Sequence, residues 1–598
     1  MPFKTPVVPQ VDPTEFLARP HQERLHFLAT FWAENGFGTQ KMVHTIYIVK
    51  LLILYIGCGV ALATLTSGFS PFAVGDWWDQ AIIYQKFVMW TLFLELFGIG
   101  GTWGPLAAHF KPMTGGISYW ARPGTIRLPP WPKVVPLTAG DSRSVFDVAL
   151  YVVCLLGFLA PVFGPTTTAD GHELLDPTLV AVSTTLLLLA GLRDKILFLA
   201  ARGEQYLPVL IISMLAGYGA FTFKDFIIAA KLIIVVIWVG AAVSKMNLHF
   251  ENVVPPMVSN APFTPKFLRL AHYKSYPEDL RPSGLALFMA HVLGTTAELV
   301  VPLVLLLSPW PWLTLVAVAC MVLFHLFITQ TFPLAVPLEW NILFAYIAIF
   351  LFAGHQAADG FGVMDFSHGW MLPVVLVALL FFPVLGNLRP DLVSFLPSLR
   401  QYAGNWASAV WAMQPGTEAR FNELPKGANN QIDQLIDGMG MPPDFAEMTL
   451  QLSLGWRSMH SQGRGIFSVL QNYLGAEYDN YSLREGEFCC NSIIGWNFGD
   501  GHLHDDQLIE AMQRRLHFAP GEFVVVWVES QPMHKKYQEY YVMDAALGIV
   551  ERGRWNVRDA VKEQPWLPNG PIPVEVTWRA ATTMTHRDAP GHDLPASA

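Results

Sequence analysis

The stretch KLIIVVIWVGAAVSKMNLHFENVVPPMVSNAP, residues 231–262, decides how the chain is read. An apolar run carrying Trp238 and Gly240 ends on Lys245, the polar Asn247 and His249 follow, and the chain is expected to break at Pro255-Pro256. A helix crossing the hydrocarbon of a bilayer needs about 20 mostly apolar residues and must satisfy its own backbone, and this run meets both needs. A lysine where such a helix runs out is either an anchor whose ammonium snorkels to the interface or a functional base.

Composition agrees with a membrane chain. The 598 residues exceed one ordinary domain. Of these, 52% are hydrophobic and 14% charged, against about 25% charged in soluble proteins. The net charge of −9 is spread without runs of one sign, so no nucleic-acid partner is expected. Cys58, Cys154 and Cys320 lie in apolar runs, and Cys489 and Cys490 are sequence neighbours. That usage spells neither a disulfide framework nor a zinc knuckle. Residues 1–41 are polar and broken by proline, with no cleavable signal, so the first membrane helix is expected to be an uncleaved anchor.

Ten segments suit lipid: 42–66, 82–101, 144–164, 177–192, 206–222, 226–244, 284–307, 310–332, 335–354 and 370–388. The expected fold class is therefore a polytopic α-helical membrane protein of about ten transmembrane helices (42–388) with a C-terminal soluble α+β domain. Lys and Arg gather in the loops after the second, fourth and sixth segments and are absent after the first, third, seventh and ninth, with Lys224 the one departure. Positive charge favours the cytoplasmic face, which predicts a multi-pass protein of the plasma membrane with both termini cytoplasmic. The loop 102–143, dense in Pro, Gly and Trp, reads as an ordered interfacial loop with a packing or anchoring role.

From Arg389 the character changes. Residues 389–425, with Trp406 and Trp411, read as an amphipathic segment on the membrane surface. A soluble α+β domain is expected over 426–585, with helices near 443–456 and 505–516 and strands at 522–530, 537–544 and 572–579, before a disordered end at 586–598. The cluster MHSQGRG (459–465) reads as a surface loop whose Arg457 and Arg464 suit phosphate or an anionic headgroup. In GWNFGDGHLHDDQ (495–507), His502, His504 and Asp500 are the candidate metal ligands. A Gly-Asp-Gly turn followed by Asp505 or Asp506 capping a helix explains more of that motif, so no metal is expected.

Ionisable groups in lipid need a partner or a task. Lys50, Lys86 and Lys231 are placed to snorkel, and Glu95 sits deep in the second segment. His291 and Glu298, seven residues apart in the seventh segment, are expected on one helical face. His325 lies in the eighth segment, and Glu339 and Asn341 open the ninth. Each group taken alone fits an interhelical hydrogen-bond network. Together they describe a buried polar cavity suited to proton transfer. In it Lys245 is the candidate base, His291, Glu298 and His325 orient or shuttle protons, and Trp238, Asn247, His249, Glu95, Glu339 and Asn341 line the substrate.

The segments GAAVSKMN (240–247), MAHVLGTTAEL (289–299) and LFHLFITQTF (323–332) come in an order that resembles the horizontally transferred transmembrane domain, the family of the vitamin K-dependent gamma-glutamyl carboxylase, over about residues 226–354. The resemblance implies that Lys245 matches the lysine that deprotonates reduced vitamin K, and that His325 matches the histidine of a Phe-His pair. A quinone or hydroquinone is the cofactor or substrate class it suggests. HFENVVPPM stands where that family often has Trp and Gly after the lysine, and the large lumenal part has no counterpart, so protein carboxylation is not expected. The whole chain is also similar to a family of uncharacterised actinobacterial transmembrane proteins, for which the resemblance supplies no reaction.

Two functions remain open on these residues. One is an enzyme acting on a lipid-soluble substrate, a quinone or isoprenoid lipid. The other is a non-catalytic lipid-handling or scaffold protein of the cell envelope whose soluble tail binds a protein partner. A transporter is disfavoured because no inverted repeat or paired broken helices are visible.

Overall fold

The computed structural model describes residues 2–99, 116–330, 338–400, 406–496 and 505–581, with only the backbone of Gln330, Leu338, Glu339 and Asp505. Asp500, His502, His504, the Glu339 side chain and the expected disordered end therefore lie outside the described residues.

After a short helix, Pro13–Leu17, come helix α1 (His21–Asn35) and then ten helices at the positions the hydropathy marks. These are α2 (Lys41–Leu65), α3 (Ala81–Phe97), α4 (Val145–Phe163), α5 (Pro177–Arg193), α6 (Gly203–Gly217), α7 (Phe223–Lys245), α8 (Gly284–Leu307), α9 (Pro311–Gln330), α10 (Leu338–Ala348, continued as a π turn over Ile349–Ala353) and α11 (Met371–Leu388). Six of them, α2, α4, α7, α8, α9 and α11, are long and apolar enough to cross a membrane by length and composition. Of the ten expected, these six qualify among the described residues. Helices α3, α5 and α6 have 17, 17 and 15 residues, short of the roughly 20 a straight crossing needs.

Helix α7 is the axis of the bundle. It begins with a capping box in which Thr222 and Asp225 satisfy each other's backbone N–H groups. Its 23 residues span about 34 Å at 1.5 Å each, enough for the hydrocarbon. Of its best apolar window, 72% is buried, against 11% for α11, so α7 runs inside the bundle while α11 faces outward. At its start, a hairpin of β1 (Thr166–Ala169) and β2 (His172–Leu175) turns through Asp170-Gly171, both at positive φ (50° and 84°), the geometry a tight two-residue turn needs. Asp170 accepts from the Phe223 N–H at 2.7 Å, and the Lys231 ammonium is held by the carbonyls of His355 and Phe361 at 2.6 and 2.7 Å. Lys231 therefore reaches loop carbonyls rather than snorkelling to water.

At the other end of α7 the chain does not break at Pro255-Pro256. Proline fits a first helical turn, where N–H groups are unpaired anyway, and a short helix, Val254–Asn260, starts there. Helix α1 grips it: Trp32 Nε1 donates to the Pro256 carbonyl at 3.0 Å, and Ser259 Oγ donates to the Ala33 carbonyl at 2.8 Å. A small hairpin, β3 (Tyr273–Ser275) and β4 (Asp279–Pro282), leads back into α8.

The C-terminal sheet has six antiparallel strands: β5 (Ser408–Met413), β6 (Ser482–Glu485), β7 (Phe523–Val528), β8 (Tyr537–Asp544), β9 (Gly548–Asn556) and β10 (Val574–Arg579), in the order β10-β9-β8-β7-β5-β6. Helices α12 (Pro443–Met459), α13 (Ser461–Leu474), α14 (Gly486–Ile494) and α15 (Asp505–Leu516) accompany it. Strand β7 shows why the sheet is buried on both faces. Val524, Val526 and Val528 join Ile466, Phe467 and Leu470 of α13 in one core, while Phe523, Val525 and Trp527 join Trp411, Phe518 and Met512 in the other. Strand β5 corrects the amphipathic reading of 389–425, because all six of its residues are buried beside β7 and Trp411 is 1% exposed. The cluster 459–465 is likewise no surface loop: it is the buried α12–α13 junction, with Arg464 holding the carbonyls of Ser458, Met459 and Ala560 at 3.2, 2.9 and 3.0 Å.

The sheet domain is joined to the bundle and to the N-terminal segment. Phe16 and Leu28 share a core with Met448 and Leu452 of α12. Within the 102–143 loop, residues 116–143 take the expected packing role. Tyr119 OH and Trp120 Nε1 donate to the carbonyls of Ser492 and Ile494 at 2.9 and 3.1 Å. Arg143 pairs with Asp194 at 2.7 Å, with both side chains almost wholly buried.

Candidate functional site

Lys245 and Trp238 are seven residues apart on α7, two turns along one face. The Lys245 ammonium pairs with the Glu298 carboxylate of α8, and the two side chains are 8% and 7% exposed. Two rings wall the ammonium, Phe250 at 5.2 Å and Phe324 at 5.7 Å from their centroids, a placement that adds cation–π attraction to the ion pair. Two turns deeper, Trp238 Nε1 donates to His325 Nε2 at 3.0 Å, and His325 Nδ1 meets Asn341 Oδ1 at 3.0 Å. An indole N–H only donates, so Nε2 accepts and Nδ1 carries the proton. His325 is thereby held as the neutral Nδ1–H tautomer, with Phe344 edge-on to its ring at 5.7 Å. The two residues of the Phe-His pair divide the work: Phe324 faces the lysine, and His325 bridges α7 to α10.

The structure brings together Lys245, Glu298, His325, Trp238 and Asn341, and leaves the other candidates elsewhere. His291 does not share Glu298's face. The stretches Phe288–Gly294 and Thr296–Val300 are π-helical, and the extra residue per turn rotates a seven-residue spacing out of alignment. His291 instead lies 3.5 Å from Glu251, with its side chain 37% exposed. Asn247 serves the end of α7, donating to the Ser244 carbonyl and accepting from the His249 N–H at 2.8 Å. His249 is fully buried in the joint between bundle and sheet domain, bonded to Ser461 Oγ and to Gln531 Oε1, each at 2.7 Å. Burial pushes its imidazole down to about 4, against the opposing hydrogen bond from Gln531. Glu95 is fully buried on α3, where its charge bears on Tyr206 of α6.

Sequence reasoning missed Phe250 and Phe324, because aromatic residues are common throughout membrane helices and nothing marks these two. It also missed the π-helical character of α8, a geometry frequent at functional sites, and the buried charge cluster of the sheet domain. There Arg457 lies between the rings of Trp406 and Trp456 at 5.6 and 4.7 Å and binds both Glu485 and Glu487. Burial, reinforced by the Glu485 charge, pushes the Glu487 carboxyl up to about 7. This cluster ties α12 to β5 and α14, and it is fully enclosed. No group of three or more His, Cys, Asp or Glu able to hold a metal occurs among the described residues.

No curated protein and no solved structure shows a significant match to the chain. Residues 1–577 match the family described as transmembrane protein of unknown function, DUF3556. Matched over nearly its whole length, and with six helices of crossing length among the described residues, the chain belongs to this family of multi-pass transmembrane proteins.

Proposed function

We propose that this membrane protein binds a lipid-soluble molecule bearing an O–H group, a quinol or isoprenoid alcohol, beside Lys245 and Glu298, and exchanges a proton with it. The observation that carries the reading is the ion pair itself. Two charges buried in a membrane bundle cost several kcal/mol each in lost hydration, and such pairs mark substrate or proton pathways. The pair refines the roles assigned from sequence. With Lys245 already an ammonium, the acceptor of the substrate proton is the Glu298 carboxylate, and Lys245 stabilises the oxyanion that remains. Phe250 and Phe324 exclude water and offer flat apolar walls to a ring or polyprenyl chain. Arg122, Lys195 and Arg281, one from each of the three basic loops, bond to Lys426, Gln507 and Lys562 of the sheet domain, which supports a plasma-membrane orientation with both termini cytoplasmic.

The test compares lipid extracts incubated with wild type, Glu298→Gln and Lys245→Met by mass spectrometry. Product or retained lipid should appear with wild type and fall at least tenfold in both variants. A second reading, in which the pair is only a staple between α7 and α8, is favoured by its direct contact. It predicts that the double variant Lys245→Met/Glu298→Met keeps wild-type function while deletion of 390–598 abolishes it.

A further inference from the structure

A second polar cluster lies where α3 and α6 end toward the sheet domain. Arg202, the residue that caps α6, adopts the left-handed conformation (φ 55°, ψ 40°). A non-glycine residue is rarely held there and persists where its surroundings require it, often at functional sites. Its guanidinium lies 6.0 Å from the ring centroid of Trp496, at the end of α14, and both side chains are buried. The charge of Arg202 bears on the Glu204 carboxyl and on the Tyr206 hydroxyl, and the charge of Glu95 also bears on Tyr206.

Three polar atoms in this cluster are sealed from solvent without a hydrogen bond to another residue: both carboxylate oxygens of Glu204 and the hydroxyl of Tyr206. The Glu204 carboxyl is left with its own backbone N–H. Leaving a buried polar group unpaired is costly, more so for a charged one, so each such group calls for an occupant.

We propose that Glu204, Tyr206, Arg202 and Glu95 form a second binding site, separate from Lys245, for an uncharged hydroxyl-rich group, a sugar or polyol. Charge selects that class. Glu204 and Glu95 repel an anion, and Arg202 repels a cation. Two neighbouring hydroxyls of such a group supply one donor to each Glu204 oxygen and a lone pair to the Tyr206 O–H, which meets the three unpaired atoms. Trp496 adds an apolar face of the kind that covers the C–H side of a sugar ring. The group is carried either by a free sugar or by a glycolipid headgroup, since the cluster sits at an end of the bundle.

The full chain in lipid nanodiscs is tested with methyl β-D-glucoside in solution and, separately, with monoglucosyl diacylglycerol in the disc, following unfolding temperature and binding isotherms. One or both probes should raise the unfolding temperature of wild type and of the surface control Glu575→Gln. Binding by the free glycoside assigns a soluble sugar, and binding by the glycolipid alone assigns a headgroup. Glu204→Leu and Tyr206→Phe should weaken that binding at least tenfold while unfolding, without probe, no earlier than wild type, because neither removes a hydrogen bond to another residue. Absence of any shift with both probes in wild type, or unchanged affinity in both variants, overturns the proposal.

Discussion

At the scale of single residues, the state of His325 is the most sharply determined feature. An indole donor on Nε2 and an amide oxygen at Nδ1 leave one neutral tautomer. Nitrogen NMR of histidine-labelled protein should show an Nδ1-protonated ring. Trp238→Phe, which strands Nε2, should cost about 1–3 kcal/mol of stability and release the tautomer to a mixture. The Lys245–Glu298 pair makes a different prediction. Lys245→Met or Glu298→Gln alone should destabilise by about 3–5 kcal/mol, because each leaves a buried charge uncompensated. Lys245→Met/Glu298→Met should recover most of that loss, and a double-mutant cycle reads the coupling directly. Lys245, Glu298 and His325 were legible in the sequence because ionisable groups in apolar runs are rare enough to demand a reason. Phe324 and Phe250 were not, since their role comes from what they face.

At the scale of elements, periodicity served well where helices and strands are regular and failed where they are not. The segment 505–516 and the strands at 523–528 and 537–544 emerge where alternation placed them. In α8 the π-helical stretches break the rule that residues seven apart share a face, and His291 turns to Glu251 instead of Glu298. Strand β5 was hidden because SAVWAM is short and follows a tryptophan that looked interfacial; its burial comes from partners far along the chain, β6 and β7. The loop after α7 is the element that joins the two parts, and its His249 gives a pH prediction. A folded-state pKa near 4, below the ordinary 6.5, means the unfolded chain binds the proton more readily between those values. Stability should therefore fall as pH drops from 6.5 toward 4. Glu487, raised to about 7, acts in the opposite sense between 7 and 4.5, so the contrast with a His249→Asn variant isolates the histidine. On acid titration of thermal unfolding, wild type should lose more stability than His249→Asn over that window, and equal losses would remove His249 from the account.

At the scale of the whole molecule, the multi-pass character was legible from hydropathy alone, because lipid demands long apolar runs. The number of crossings was not, since α3, α5, α6 and α10 are apolar but shorter than the six that qualify among the described residues. The docking of the N-terminal segment on α12, through Phe16, Leu28, Met448 and Leu452, places that segment and the sheet domain on one side of the bundle. The β1–β2 hairpin and the loop holding Phe361 lie at the opposite end of α7. Single cysteines introduced at Arg19 and Arg554 should share one labelling pattern with a membrane-impermeant reagent in intact cells, and a cysteine at Asp170 the opposite one. The claim on which the rest depends is that the Lys245 ammonium is sealed against Glu298 inside the bundle and forms the floor of a lipid-accessible site. An experimental density map of the protein in native-lipid nanodiscs tests this most directly. The account predicts the amine and carboxylate in contact between Phe250 and Phe324, with elongated lipid-like density against them; a Lys245 side chain extended into bulk water, apart from Glu298, would contradict it.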